Sequence, residues 1–372
     1  MKRPEDHKGK VANFLDHYEL DPLRILVKTG AMMIWLYGAP GLYAEQWGSD
    51  GIILYIFYIS ICRWFFTEIS TLIVSRHAIG VSLYRFSPMS IIAAGLLIFI
   101  APNSELALLI IPLFIAIYVS AYYPFYYQVI PLKGITTDGL QRNEAIGSLI
   151  SAALCGLVTW WFDSIAASLI LGSVIVGITF FMEVGVSNKE LHDRHAENVE
   201  KAVGRDRRKI AKGHLIIICM ASITFTSLSD FRIYKFTAPE VAVDAVVDLA
   251  QALVIAEFLL WVVTNWISFD DPRIRWFGCI VTCVGFGLMF FDQIGYFIIG
   301  YISVSAVSRA FNRAQDFKHG QSALKGVGKR PALRELTRYR TMALLTPLLL
   351  FPSVIPLVGI ISAAVLVMIP FD

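Results

Sequence analysis

The sequence predicts an all-α polytopic membrane protein of about twelve transmembrane helices in two six-helix bundles. Three observations carry that prediction. The 372 residues are 56% hydrophobic and only 16% charged, where a soluble domain is about 45–50% apolar and about 25% charged; the mean hydropathy is +0.62. The apolar residues gather into long blocks separated by short polar stretches. The basic residues fall almost entirely into alternate gaps between those blocks.

An apolar run of about 20 residues crosses the hydrocarbon core as a helix. On that measure the chain reads as spans over 27–44, 52–74, 88–101, 106–130, 144–162 and 164–183, then a charged segment 186–212. Spans over 213–230, 242–267, 275–291, 293–308, 340–352 and 354–371 follow. The blocks 275–308 and 340–371 are barely long enough for paired thin helices, and charge decides that they are pairs. Lys and Arg number six in 2–28, two at Arg76 and Arg85, two at Lys133 and Arg142, eight in 186–212, two at Arg273 and Arg275 and nine in 309–340. These are alternate loops of a twelve-helix chain and hold 29 of its 32 basic residues. The positive-inside rule makes that side the cytoplasm and places both termini there. Reading 275–308 as one helix would put the nine-charge loop outside. Pro347, Pro352 and Pro356 leave a re-entrant last hairpin open. The chain thus divides into a cytoplasmic N-terminal segment (1–26), a first bundle (27–185), a cytoplasmic linker (186–212) and a second bundle (213–372).

Several classes of protein are excluded. A net charge of +3 is too small to argue for nucleic acid. The N-terminus stays polar for over twenty residues, unlike a cleavable signal peptide. Five cysteines, an odd number all within apolar blocks, do not form a disulfide framework. Cys279 and Cys283 share a helix face but have no His or second Cys pair beside them, so no metal site is expected. TDGLQR (137–142) lacks the further aspartates of a metal-dependent phosphotransferase. Asp244 and Asp248 lack a second acidic pair for a diphosphate–magnesium site. KGVGK (325–329) lacks the upstream glycine and following hydroxyl of a phosphate loop. No enzymatic activity and no cofactor are expected. The linker reads as a solvated connector, with a protein-partner helix as the sharper alternative.

Charge inside a bilayer costs on the order of 2.5–3.5 kcal/mol by insertion scales, so it faces a bundle interior or a wet cavity. Three residues stand out. Arg63 is at the middle of the second span, Glu68 is nearer the cytoplasm on the same helix, and Glu257 is near the middle of the eighth. Ser60, Arg63, Thr67, Ser70 and Thr71 form one stripe at helical spacing. Arg63 and Glu68 stand about 140° apart and are poorly placed to pair. The functional reading is that Arg63 binds an anionic group while an acid, Glu257 or Glu68, exchanges a proton. The structural reading is a buried ion pair between helices. In the fourth span Tyr118, Tyr122 and Tyr126 recur at i, i+4, i+8. In the fifth, Ala145, Gly147, Ser148, Ser151, Ala152 and Gly156 predict close packing within the first bundle.

Local sequence adds a family resemblance. The first hairpin reads LYGAPGLYAEQWGSDGIILYIFYI (36–59), and the next loop reads SRHAIGVSLYR (75–85). YYPFYYQ (122–128) leads through RNEAIGSLISAALCG (142–156); the second half has FDDPRIRWFG (269–278) and RELTRYR (334–340). Together with the topology these resemble the major facilitator superfamily over nearly the whole chain, mostly as architecture. The family's Gly-x-x-x-Asp-Arg-x-Gly-Arg loop is represented by Arg76, Gly80 and Arg85, with Ser75 where the Asp is expected; the matching loop keeps Asp271, Arg273 and Arg275.

The resemblance implies two bundles related by a pseudo-twofold axis along the membrane normal. It implies secondary transport of a small-molecule solute by alternating access in a bacterial-type inner membrane, with protons as the candidate coupling ion. It makes Arg76, Arg85, Asp271, Arg273 and Arg275 gating-loop residues. It points the fourth helix's Tyr118, Tyr122 and Tyr126 toward substrate, and on the first helix Trp35 or Tyr37. Those two stand about 200° apart, so one of them faces the cavity. The incomplete loop signature keeps a second class in view, a non-transporting membrane scaffold or receptor; an integral-membrane enzyme is a third.

Overall fold

A computed structural model describes residues 22–74, 86–102, 104–132, 137–181, 207–235, 238–264, 272–291, 294–324 and 333–369. The described residues form α-helices joined by short 3-10 and π-helical stretches, with no strand among them. α1 (Pro22–Met32) passes through a π-helical stretch, Met33–Gly38, into α2 (Ala39–Val74). α3 (Pro88–Ile100), α4 (Glu105–Leu132), α5 (Thr137–Phe162) and α6 (Ile165–Phe181) complete the first set. α7 (Arg207–Lys235), α8 (Ala242–Thr264), α9 (Pro272–Met289), α10 (Ile294–Leu324), α11 (Leu333–Leu345) and α12 (Ile355–Met368) form the second. The fold is that of a polytopic membrane protein of two six-helix bundles.

Local chemistry sets the corners. α2 contains the end of the first span and all of the second, divided at Gly48, where φ 57° and ψ −138° break the helix. That backbone region is open essentially to glycine alone. The turn between α5 and α6 places Asp163 at φ 48°, a left-handed conformation that Asp tolerates. Just beyond it, the Ser164 hydroxyl accepts the Ala167 N–H at 3.4 Å to cap α6. Ser104 caps α4 in the same way through the Ala107 N–H, also at 3.4 Å. Pro347 and Pro352 lie in the 3-10 stretches Thr346–Leu350 and Pro352–Val354 that turn α11 into α12, and Pro356 lies in the first turn of α12. At these starting positions a missing N–H costs little.

The outer surface is apolar. Phe99, Ile100, Trp161 and Leu344 are each more than two-thirds exposed. Such a belt is what hydrocarbon, rather than water, favours around a helical bundle.

Several helices outrun the apolar blocks. α10 continues to Leu324, α5 begins at Thr137, α7 at Arg207 and α11 at Leu333. Apolar runs mark where lipid or core begins, whereas α5 and α10 carry buried charges at or beyond the ends of theirs, Glu144 and Arg313. The main seams joining the first six helices to the last six are α5 along α8, α2 along α11 and α10 against α4, with α10 also meeting α5 and α2 also meeting α7 and α8. The small residues of α5 serve two of its faces. The Thr29 hydroxyl of α1 donates to the Gly147 carbonyl at 3.2 Å, and the Ser151 hydroxyl to the Thr29 carbonyl at 3.2 Å. Gly156 instead faces α8, where a Cβ in its place would lie 2.9 Å from the Ala250 Cβ. The small-residue stripe expected to pack only the first bundle therefore also brings the two bundles together.

Candidate functional site

Between the bundles lies a cavity of about 160 Å³. α1 and the π-helical stretch contribute Lys28, Met32, Trp35 and Leu36, α2 contributes Arg63 and α5 Glu144. From the other bundle come Thr224, Ser227 and Leu228 of α7, Ser305, Ser308, Arg309, Asn312 and Arg313 of α10, and Arg338, Tyr339 and Met342 of α11. Five cations thus stand on the wall with one carboxylate.

A chain of alternating charges runs along one side. Lys28 is ion-paired with Glu144. Arg313 Nε lies 3.7 Å from Glu144 Oε2, and Arg313 Nη2 donates to the Glu144 carbonyl at 3.3 Å and to the Ser148 hydroxyl at 3.2 Å. The same Nη2 reaches both Glu257 oxygens at 2.9 Å, and Arg309 pairs with Glu257 as well. Glu257 is fully buried, Glu144 and Arg313 nearly so. A buried charge persists only when paired and hydrogen-bonded, and here two carboxylates are shared among three cations.

Arg63 makes a different kind of site. Its guanidinium lies 4.1 Å from the Tyr339 ring centroid and 5.1 Å from that of Trp35. Arg63 Nη2 donates to Tyr339 Oη at 2.7 Å. Stacking against aromatic faces holds a guanidinium by its plane and leaves its N–H edge available. Beside it, Asn312 Nδ2 donates to Thr224 Oγ1 and to the Ser308 carbonyl, both at 2.8 Å, and Asn312 Oδ1 accepts from Arg338.

The sequence-predicted residues divide as follows. Arg63 and Trp35 line the cavity. Tyr37 is fully buried behind the wall, among Arg309, Glu257 and Tyr301. Glu257 also lies behind the wall, held by its two arginines. The stripe containing Arg63 faces protein: Ser60, Thr67 and Ser70 are buried, and Thr67 Oγ1 lies 2.9 Å from Ser120 Oγ of α4. Tyr118 and Tyr122 are buried and stacked at 5.0 Å and 19°, outside the cavity lining. Glu68 sits at the end of the α2–α11 seam, accepting from Trp64 Nε1 at 3.0 Å and Arg340 Nε at 2.7 Å. Arg273 is exposed at the start of α9. Arg76, Arg85 and Asp271 lie outside the described residues, as do the side chains of Tyr126 and Arg275.

Sequence reasoning missed Lys28, Glu144, Arg309, Arg313, Arg338 and Tyr339. All had been assigned to polar ends or loops. The available signal was the α10 pattern Ser305, Ser308, Arg309, Asn312, Arg313, which continues a helical face beyond the apolar run. No group of three His, Cys, Asp or Glu side chains arranged for a metal occurs among the described residues.

The two six-helix bundles have the major facilitator fold, shown by likeness to solved structures. No protein-family model matches the sequence, and neither does any curated protein. Solved structures do. The human organic anion transporter MFSD10 (TETRAN) superposes with a TM-score of 0.60 at 12% identity, over 92% of this chain and 95% of that one. The nucleoside transporter NupG gives 0.53 at 9% identity, over 93% and 95%. The E. coli fucose:proton symporter FucP gives 0.52 at 10% identity, over 94% and 97%. At these identities the likeness is one of fold.

Proposed function

We propose that the chain is a secondary transporter that moves a small organic anion by alternating access. The observation that carries this reading is the cavity between the bundles, with five cations and one carboxylate on its wall. Glu144 on the wall and Glu257 behind it are shared among Lys28, Arg309 and Arg313, and burying the excess positive charge costs several kcal/mol, so the cavity favours an anion. The structural neighbours, an organic anion transporter, a nucleoside transporter and a sugar:proton symporter, support transport as the activity. In this reading Arg63, Trp35, Arg309 and Arg313 contact the solute. Glu68–Arg340 and the 2.5 Å bond from Gln141 Nε2 to the Ala310 carbonyl join the bundles on one side and separate in the opposite state.

Proton coupling fits the same geometry. An arriving anion competes for Arg309 and Arg313, loosens their hold on Glu257 and Glu144, and lets a released carboxylate take up a proton. The basic loops support a bacterial-type inner membrane with both termini and the linker 186–212 in the cytoplasm. Arg76, Arg85, Asp271, Arg273 and Arg275 act in this scheme at the loops that move. Binding without transport would select the scaffold or receptor reading instead.

A thermal-shift screen of the purified protein against small metabolites tests the proposal, with Arg63→Ala alongside. A metabolite anion should stabilise the wild type and not the variant, at equal baseline stability. Stabilisation by neutral solutes alone, or equal stabilisation of both proteins, would refute it.

A further inference from the structure

The solute's charge is legible in the wall. On the cavity wall two buried guanidinium donors, Arg63 Nε and Arg313 Nη1, have no hydrogen-bond partner. They come from opposite bundles, Arg63 from α2 and Arg313 from α10, and both residues line the cavity. A buried charged donor without an acceptor is costly, and the cost is relieved when an acceptor arrives.

Charge counting gives the same number. With Lys28 protonated, Lys28, Arg309 and Arg313 share two carboxylates, Glu144 and Glu257, which leaves one unit of positive charge. Arg63 is held by a tyrosine hydroxyl and two aromatic rings, with no carboxylate among its described partners, which leaves a second. Two units remain. A monoanion would compensate one guanidinium and leave the other buried and bare.

The remaining wall sets the size and the middle of the ligand. The cavity of about 160 Å³ is close to an apolar cavity of roughly 150 Å³ that holds benzene. Met32, Leu36, Leu228 and Met342 supply apolar surface between the charged positions. We infer that the solute is a compact organic dianion, with one anionic oxygen cluster on Arg63 and the other on Arg313. A dicarboxylate or a phosphate monoester satisfies this chemistry. The inference rests on the cavity being the solute site, as proposed above, and adds the charge and its distribution.

The test is calorimetric titration of the full-length protein near neutral pH and low ionic strength. The probes are succinate and glycerol 3-phosphate as dianions, butyrate as a monoanion and glycerol as a neutral control. At least one dianion should bind roughly ten- to hundredfold more tightly than butyrate, the span that one charge-assisted hydrogen bond supplies. Which dianion binds separates carboxylate from phosphate recognition. Arg63→Gln should bring the dianion down to the level of butyrate, and Arg63→Lys should keep most of the preference. Should Arg63→Gln fail to fold, the wild-type ratio and the lysine variant still decide. Equal affinity for butyrate and the dianions overturns the dianion assignment and leaves an anion transporter. Glycerol binding as tightly as the anions overturns both. Absence of heat with every probe, from protein with a normal melting transition, overturns the dianion assignment; the transporter reading then stands or falls on the metabolite screen.

Discussion

Replacing Glu257 by glutamine perturbs the buried charge chain at its most constrained point. Glu257 is fully buried and receives Arg313 at 2.9 Å on both oxygens, with Arg309 on Oε1. Glutamine keeps the volume and one acceptor oxygen, removes the charge and turns the second acceptor into an NH2 donor facing the guanidiniums. Lys28, Arg309 and Arg313 would then share Glu144 alone, so the uncompensated charge of that cluster rises from one to two. Removing one partner of a buried pair costs about 3–5 kcal/mol. For a chain of this length ~1–2 °C accompanies each kcal/mol, so the melting temperature should fall on the order of 5 °C. Ligand response should move the other way, because a more positive wall gains more from an anion. The assay is a thermal melt in detergent with and without a binding anion, at matched scan rates. The account expects a lower baseline and a larger ligand-induced shift than in the wild type. An unchanged baseline, or a lower baseline with a smaller anion shift, would refute the view of Glu257 as the counter-ion that limits the cavity's charge.

Four further substitutions separate surface from interior. Arg340→Ala breaks a pair whose side chains are 50% and 33% exposed, so it should cost under about 1 kcal/mol; a loss as large as that of Glu257→Gln would show the pair to be more buried than described. Gly156→Val drives a side chain into the α5–α8 seam against Ala250 and should cost about 1–3 kcal/mol and suppress uptake. Gly287→Ala, with nothing within 4 Å of the new Cβ, should melt like the wild type, and equal behaviour of the two variants would contradict the seam. Gly48→Ala places a side chain where φ is 57° and ψ −138°, with an expected cost of about 1–3 kcal/mol; a neutral melt would mean that the turn adopts another backbone.

The architecture was legible because lipid imposes one coarse rule, long apolar runs divided by charge. That rule placed an apolar block on each of the twelve described helices. It also produced the main omission. Arg309 and Arg313 follow directly on an apolar run, as loop charges do, and were counted with the nine basic residues of 309–340. Lys28 was counted with the basic N-terminus, and Glu144 stood at the expected start of its span. Each lies within a helix, and its partners come from helices distant in sequence; the polar face of α10 marks Arg309 and Arg313, but no local pattern distinguishes Lys28 or Glu144 from a solvated charge. Arg63 was found because it interrupts an apolar run, where a charge cannot be mistaken for a loop. Tyr118 and Tyr122 illustrate the converse. Their spacing defines a shared face, while which neighbour that face meets is decided by packing, here a mutual stack against the body of the protein.

The central claim is that the cation-lined cavity carries an organic anion across the membrane. Anion counterflow in proteoliposomes, with wild type beside Arg313→Gln, tests it most directly. Vesicles preloaded with an unlabelled anion that binds the purified protein should accumulate the same anion added outside in labelled form. The variant, reconstituted to equal density and shown to be folded, should not. Labelled anion accumulating equally in both, or in neither while the wild type still binds it, would contradict the account.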